Sequence, residues 1–319
     1  MSSLPLEPLS SGPKRLAGRL RTGLLGIPLC LWLAFGFSGC RHLSDTVDQE
    51  KTMAGEVLNA RRAASLRLWS HKTIGGEPVM GYTLARTALL LPSGMKMTLH
   101  ETGRTGDVVR YDARFTGRSR TVFAGSAVAV AADGYFLTAA HCLDEGSPTL
   151  VTITRDGELR AVPSRIVWCG SEARGEPDLG LVHAPLTPGG TVSLTGLPAR
   201  ENGTLIFTGG FGSHGLPDVR AGGSGGRVVH IGRIQELPSG ARWRELRHNA
   251  PLAPGDSGGP VIDERGRLLA INTEVRGTWN FLAQSPTLSF YRGVAVCPDS
   301  AWIQSLIDKD RLEMRRVRR

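Results

Sequence analysis

A chain of 319 residues with 40% hydrophobic and 21% charged residues is long enough to bury a substantial core. Its 41 glycines and 19 prolines punctuate many short apolar runs, which favours an all-β body over a helical one. The net charge of +9 owes much to the tail arginines Arg311, Arg315, Arg316, Arg318 and Arg319, which have little aromatic interleaving; a solvated helix end accounts for them, and no nucleic-acid partner is read.

The first element is a targeting segment over residues 1–39. Lys14, Arg15, Arg19 and Arg21 precede an apolar stretch from Gly23 to Phe37 that is too short for a comfortable transmembrane span. With Glu7 counted, this leader holds three of the nine net positive charges, leaving +6 on the mature chain. Phe37-Ser38-Gly39-Cys40 resembles the lipobox of bacterial lipoproteins, with Phe37 where that family usually has Leu. The resemblance implies lipidation of Cys40, export to the cell envelope and a membrane anchor; an ordinary signal peptide cut nearby, or an uncleaved anchor, is the alternative. Beyond Cys30 and Cys40 the chain has Cys142, Cys169 and Cys297, an odd number that allows one disulfide with a free thiol or three thiols.

Residues 40–78 read as a tether with a helix. Val47, Met53, Val57, Leu58, Leu66 and Leu68 fall at loosely helical spacing, until Gly75 and Gly76 break the pattern. From Gly81 short apolar runs alternate with turn residues. Strands are expected at Thr83 to Leu91, Val108 to Phe115, Val122 to Val130, Tyr135 to Ala139, Leu150 to Thr154, Arg165 to Trp168 and Leu179 to His183. A second series is expected at Leu205 to Thr208, Arg227 to Ile231, Trp243 to Arg247, Pro260 to Asp263, Leu268 to Asn272 and Gly293 to Val296. Strands at such intervals are the pattern of a sandwich or a pair of barrels. The last element, Asp299 to Met314, sets Trp302, Ile303, Leu306 and Ile307 on one face of an amphipathic helix, with Asp299 or Ser300 as its N-cap.

Gly255-Asp256-Ser257-Gly258-Gly259-Pro260 carries the strongest chemical signal. A serine hydroxyl is a weak nucleophile at neutral pH and needs an adjacent base and amide donors for the oxyanion, which flanking glycines allow the backbone to supply. The base candidate is His141, in Leu137-Thr138-Ala139-Ala140-His141-Cys142. The carboxylate that orients it is expected at Asp178, which opens the apolar run Leu179 to Val182; Asp144 lies too close to His141 in sequence, and Asp156 precedes Gly157 in a hairpin turn.

Gly210-Phe211-Gly212-Ser213-His214-Gly215 formally matches a dinucleotide fingerprint, but Pro217, Gly222 and Gly223 forbid the helix that motif requires, so the segment reads as a loop by the cleft and no cofactor is expected. No His, Cys or carboxylate run has metal-ligand spacing, so no metal is expected.

The three motifs, in the order His, Asp, Ser, resemble those of the chymotrypsin and trypsin superfamily over roughly Thr121 to Ile307. Gly125-Ser126, Asp133-Gly134-Tyr135 and Gly266 to Thr273 resemble bacterial HtrA-type proteases, although Asp256 replaces their usual Asn and no PDZ module follows. The resemblance implies two six-stranded antiparallel β-barrels with a C-terminal helix, a protease domain over 79–310 and a basic tail over 311–319. It implies a serine endopeptidase acting on protein or peptide substrates through an acyl-enzyme, the alternative being a noncatalytic peptide-binding module. It places oxyanion donors at the Gly255 and Ser257 amides, and substrate-binding positions at Pro251, Asn272 and Glu274. Ile74-Gly75-Gly76 resembles the N-terminus freed in trypsin-type zymogens, but lies much farther ahead of His141 than in those enzymes.

Overall fold

The computed structural model describes residues 64–65, 69, 71–105, 108–117, 125–144, 146–197, 202–213, 219–280 and 287–317, all within one compact unit. The targeting segment and Cys40 lie outside the described residues. Two short strands, β1 (Thr73–Ile74) and β2 (Glu77–Pro78), pair around Gly75 and Gly76, both at positive φ. Helix α1 (Val79–Leu84) follows, where the sequence pattern puts the start of a strand at Thr83. Thr83 instead donates its hydroxyl to the Val79 carbonyl (2.7 Å) one turn back, and the strand begins after it.

That strand is β3 (Thr87–Leu91), and β4 (Met95–Thr105) and β5 (Val108–Gly117) then form a separate two-stranded ribbon. Six further strands complete the first half: β6 (Gly125–Ala131), β7 (Tyr135–Thr138), β8 (Thr149–Ile153), β9 (Leu159–Pro163), β10 (Arg165–Cys169) and β11 (Gly180–His183). They pair antiparallel with β3 in the order β10-β11-β7-β6-β3-β8-β9. Residues of β3, β6 and β7 are buried on both faces, and Phe136, Leu150 and Val182 form a core inside this sheet.

The second half holds β12 (Leu205–Ser213), β13 (Val219–Ile231), β14 (Gln235–Glu236), β15 (Arg242–His248), β16 (Pro260–Asp263), β17 (Leu268–Asn280) and β18 (Thr287–Pro298). The order β13-β12-β16-β17-β18-β15-β14, with an added β13–β15 pairing, closes six of them into a barrel. The all-β double-barrel expectation is met, the first half being a curled sheet and the second a closed ring. Gly210-Phe211-Gly212 is not a loop but part of the C-terminal half of β12. Its glycines serve close approach: a Cβ on Gly210 would lie 2.8 Å from Asp256 Oδ1 and 2.9 Å from Ser126 Oγ. In β13, Gly225 makes room for Trp69, whose ring would meet a Cβ there at 1.8 Å. Trp69 is buried against the barrel, 5.4 Å from the Phe207 ring.

The chain ends in α2 (Ser300–Val317), capped by Asp299, whose Oδ1 accepts the Ala301 amide (2.8 Å) and the Trp302 amide (3.3 Å). Trp302 meets Trp168 edge to face at 5.0 Å, and Ile303 and Ile307 join the core that also holds Leu137, Leu181 and Ile271. Buried Asp310 fastens the helix to the first sheet. It accepts the Tyr135 hydroxyl (2.7 Å) and both terminal nitrogens of Arg165, while Arg311 makes a fork to Asp133 at 2.7 and 2.8 Å. Among the described residues no helix is long and apolar enough to cross a membrane.

Candidate active site

His141 rides on a 3₁₀ turn, Ala140–Leu143, immediately after β7. Strand β11 pairs with β7 so that Gly180 faces Thr138, which brings the residue two before Gly180 alongside the turn. That residue is Asp178. Its Oδ1 accepts the His141 backbone amide (3.0 Å) and its Oδ2 accepts the Nδ1 proton of the ring (2.8 Å). The close seat depends on Gly180, where a Cβ would lie 2.5 Å from Leu143 Cδ1. With Nδ1 bound to the carboxylate, Nε2 is left as the ring's basic atom.

The pair is electrostatically coupled. The hydrogen bond to Asp178, then that to the Cys142 thiol, hold the His141 pKa above its ordinary value against a desolvation that opposes them. Burial alone would raise Asp178, but the His141 hydrogen bond and charge, with the amides of His141 and Ala140, keep its carboxyl below the usual range. Asp178 is thus the anion and His141 the proton carrier.

Ser257 is stitched to both halves. Its carbonyl accepts the Ser126 amide of β6 (2.8 Å), and the next amide, of Gly258, donates to the Asn272 carbonyl of β17 (2.7 Å). The thiol of Cys142, beside His141, lies 3.8 Å from the Ser257 carbonyl oxygen, which brings the serine loop to the histidine turn. Among the described residues no hydrogen bond links Ser257 Oγ to His141 Nε2, a contact that in such sites tightens when substrate binds.

Residues 253–256 form a turn with Pro254 second, Gly255 third at φ 92°, and Asp256 N–H donating to the Ala253 carbonyl at 3.0 Å, the type II pattern. The Gly255 carbonyl accepts the Ser126 hydroxyl (2.8 Å), and Asp256 Oδ2 accepts the Ala253 amide (2.8 Å). Among the described residues the amides of Gly255 and Ser257 meet no acceptor. Two donors two residues apart, beside a serine, suit an oxyanion.

A cavity of about 350 Å³ adjoins Ser257, walled by Leu252, Ala253, Pro254, Asn272 and Val275, with Glu274 at its rim. Asn272 and Glu274 are among the residues that line it. Pro251 does not line it. Its carbonyl takes the Ser224 hydroxyl (2.5 Å), which holds it back against β13 and leaves Leu252 in the wall. Glu274 is exposed and paired with Arg276 at 3.0 Å. A larger cleft of about 1010 Å³ runs past His141, Asp178 and the 170–177 loop and shares Thr273 and Glu274 with the smaller cavity.

Sequence reasoning missed two supports of this site. Fully buried Ser126 ties Gly255, and through Phe211 N–H (2.9 Å) β12, to one hydroxyl; a serine inside an apolar strand is itself the signal, because a buried hydroxyl must be bonded. His248, fully buried behind Asn272, is the other. Cys142, Cys169 and Cys297 are all free thiols. Ile74 is buried in the β1–β2 hairpin, and a Cβ on Gly266 would lie 2.6 Å from it.

A closed barrel beside a curled sheet, with histidine and aspartate on one and serine on a turn of the other, defines a chymotrypsin-like fold. The family model of the trypsin-like peptidase domain matches residues 125–271, which supports a serine-protease type of hydrolase. No curated protein sequence matches the chain significantly. Similar solved structures include the HtrA-type protease AlgW with a decapeptide, at 19% identity over 72% of this chain and 66% of that one, TM-score 0.46. Deg5 matches at 18% identity over 61% of this chain and 82% of that one, TM-score 0.41. The chain spans 66% of the length of the first AlgW structure and 61% of the second.

Proposed function

We propose that the chain is a serine endopeptidase that cleaves proteins outside the cytoplasm, with His141, Asp178 and Ser257 as its triad. The reading rests above all on the two bonds that Asp178 makes to His141, one to the ring and one to the amide. They orient the imidazole so that Nε2 accepts a proton. In the reaction Ser257 Oγ attacks the scissile carbonyl and its proton passes to His141 Nε2. The carbonyl oxygen takes up the negative charge and is held by the Gly255 and Ser257 amides. Collapse breaks the C–N bond, His141 protonates the departing amine, and an ester to Ser257 remains. Water, deprotonated by the same nitrogen, then releases the acid.

The placement outside the cytoplasm rests on the basic and apolar leader over 1–39 and on Cys40 in its lipobox-like setting, which would tether the domain by a lipid. A fluorophosphonate probe tests the chemistry. It should label the folded chain at Ser257, and its failure to do so would overturn the triad.

A further inference from the structure

Behind the cavity beside Ser257 lie two buried polar side chains that acyl transfer does not use, His248 at the end of β15 and Asn272 in β17. His248 Nε2 stands 3.0 Å from Asn272 Oδ1, so the ring N–H donates and the carboxamide oxygen accepts. The pair is built into the barrel. Gly293 of β18 sits opposite His248 in register, and a Cβ there would lie 2.3 Å from its Cε1. Burial pushes the imidazole down to about 4, so it is neutral in ordinary conditions.

The other end of Asn272, Nδ2, is buried without a hydrogen-bond partner among the described residues, in a side chain that walls the cavity. Several other polar groups of that wall are engaged. Thr273 Oγ1 turns to the Val294 carbonyl (3.3 Å), Asp256 Oδ2 takes the Ala253 amide (2.8 Å), and Glu274 pairs with Arg276 (3.0 Å). Leu252, Ala253, Pro254 and Val275 supply apolar surface. A buried amide left unpaired is unfavourable, and a ligand group that pairs it recovers that loss.

We propose that this cavity selects a carboxamide side chain, glutamine or asparagine, at the residue whose carbonyl Ser257 attacks, through a hydrogen bond to Asn272, with His248 as its positioning residue. The inference rests on the serine-protease reading of the site. A carboxamide carries both an acceptor and a donor, so it satisfies Asn272 whichever end of that amide faces the cavity. An aliphatic side chain leaves the amide unpaired. A carboxylate brings a further negative charge beside those of Asp256 and Glu274, and a lysine offers no acceptor to Nδ2 while the rim acid is already paired.

The test uses the full chain. Fluorophosphonate labelling of Ser257 is measured first, then kcat/KM on peptides that differ only at the attacked residue: Gln, Asn, Met, Leu, Glu and Lys. Gln should exceed its near-isostere Met by about tenfold or more. Asn272→Leu should bring that ratio below about two with Ser257 still labelled. His248→Phe, which keeps a ring in place but frees the amide, should cut the ratio severalfold by lowering the Gln value more than the Met value. A labelled enzyme that takes Met or Lys as well as Gln, or a ratio unmoved in a folded variant, overturns the selection. Absence of labelling overturns the protease reading itself and the selection with it.

Discussion

Gly258→Ala perturbs a position where the serine loop, β6 and β7 meet. The residue sits at φ 82°, where an L side chain costs about 1–2 kcal/mol. Its new Cβ would lie 1.9 Å from the Ser126 carbonyl oxygen and 2.2 Å from Thr138 Oγ1. Carbon and oxygen need roughly 3.3 Å, so the carbonyl must retreat by more than about 1 Å. That carbonyl accepts the Thr138 hydroxyl at 2.7 Å, and the amide of the same residue holds the Ser257 carbonyl at 2.8 Å. Each such bond contributes about 1 kcal/mol net, which brings the expected cost to about 3–4 kcal/mol. At roughly 2–4 °C per kcal/mol for a domain of this size, Tm should fall by about 6–16 °C. Gly240→Ala is the control, because Gly240 has nearly the same φ, 84°, but nothing within 4 Å of a Cβ. It should cost only the conformational part, about 1–2 kcal/mol. Differential scanning fluorimetry and the rate of fluorophosphonate labelling read both effects. Equal Tm losses in the two variants, or parental labelling in Gly258→Ala, would refute the reasoning.

Catalysis needs neutral His141, and the Asp178 bond favours the protonated ring, so kcat/KM should rise with pH through a pKa above the ordinary 6.5. Asp178→Asn should move that limb to lower pH and reduce kcat on the order of 10⁴, and a pH profile unchanged in the variant would contradict the pairing. Trp69→Ala should cost about 3–5 kcal/mol in urea unfolding, since the ring is 6% exposed and fills the space over Gly225; a loss under about 1 kcal/mol would show that Trp69 is not part of the core. Asp310 is held below the usual carboxylate range by Arg165 and Tyr135 although burial opposes them. Its contribution is therefore present above about pH 4 and lost as pH falls through the lowered pKa, so Asp310→Asn should lower Tm at pH 7 and narrow its gap to the parent in acid. Burial pushes the Cys297 thiol up to about 12, so iodoacetamide should modify it only in the unfolded chain, as peptide mass spectrometry would show.

Much of this was legible in the chain itself. The strand Pro260–Asp263 has the bounds that its apolar run and turn signals set, and of the two cap candidates, Asp299 and Ser300, Asp299 caps the last helix. The His141–Asp178 partnership was readable because an acid opening an apolar strand is delivered beside a histidine closing its antiparallel neighbour. Glycine misled elsewhere. Gly210 reads as a loop residue, yet it is a strand residue whose missing side chain leaves room for Ser126 and Asp256, contacts visible only in three dimensions. The ribbon strand Met95–Thr105 was missed although Met95, Met97 and Leu99 alternate with Lys96, Thr98 and His100, a period-two signal diluted by polar residues. The Ser224 hydroxyl holds the Pro251 carbonyl while Leu252 lines the cavity, a distinction that depends on the tertiary fold and not on the local sequence. Nothing local in the sequence announces that His248 ends up behind Asn272, since 24 residues and a change of strand separate them.

The central claim is that Ser257, activated by His141 and Asp178, cuts peptide bonds. Incubation of an unfolded protein substrate with the mature chain and with its Ser257→Ala variant, followed by mass spectrometry of the products, tests it most directly. The account predicts defined fragments from the parent and a turnover lower by on the order of 10⁶ in the variant. Equal cleavage by both, or intact substrate with a folded parent over the whole range from neutral to alkaline pH, would contradict it.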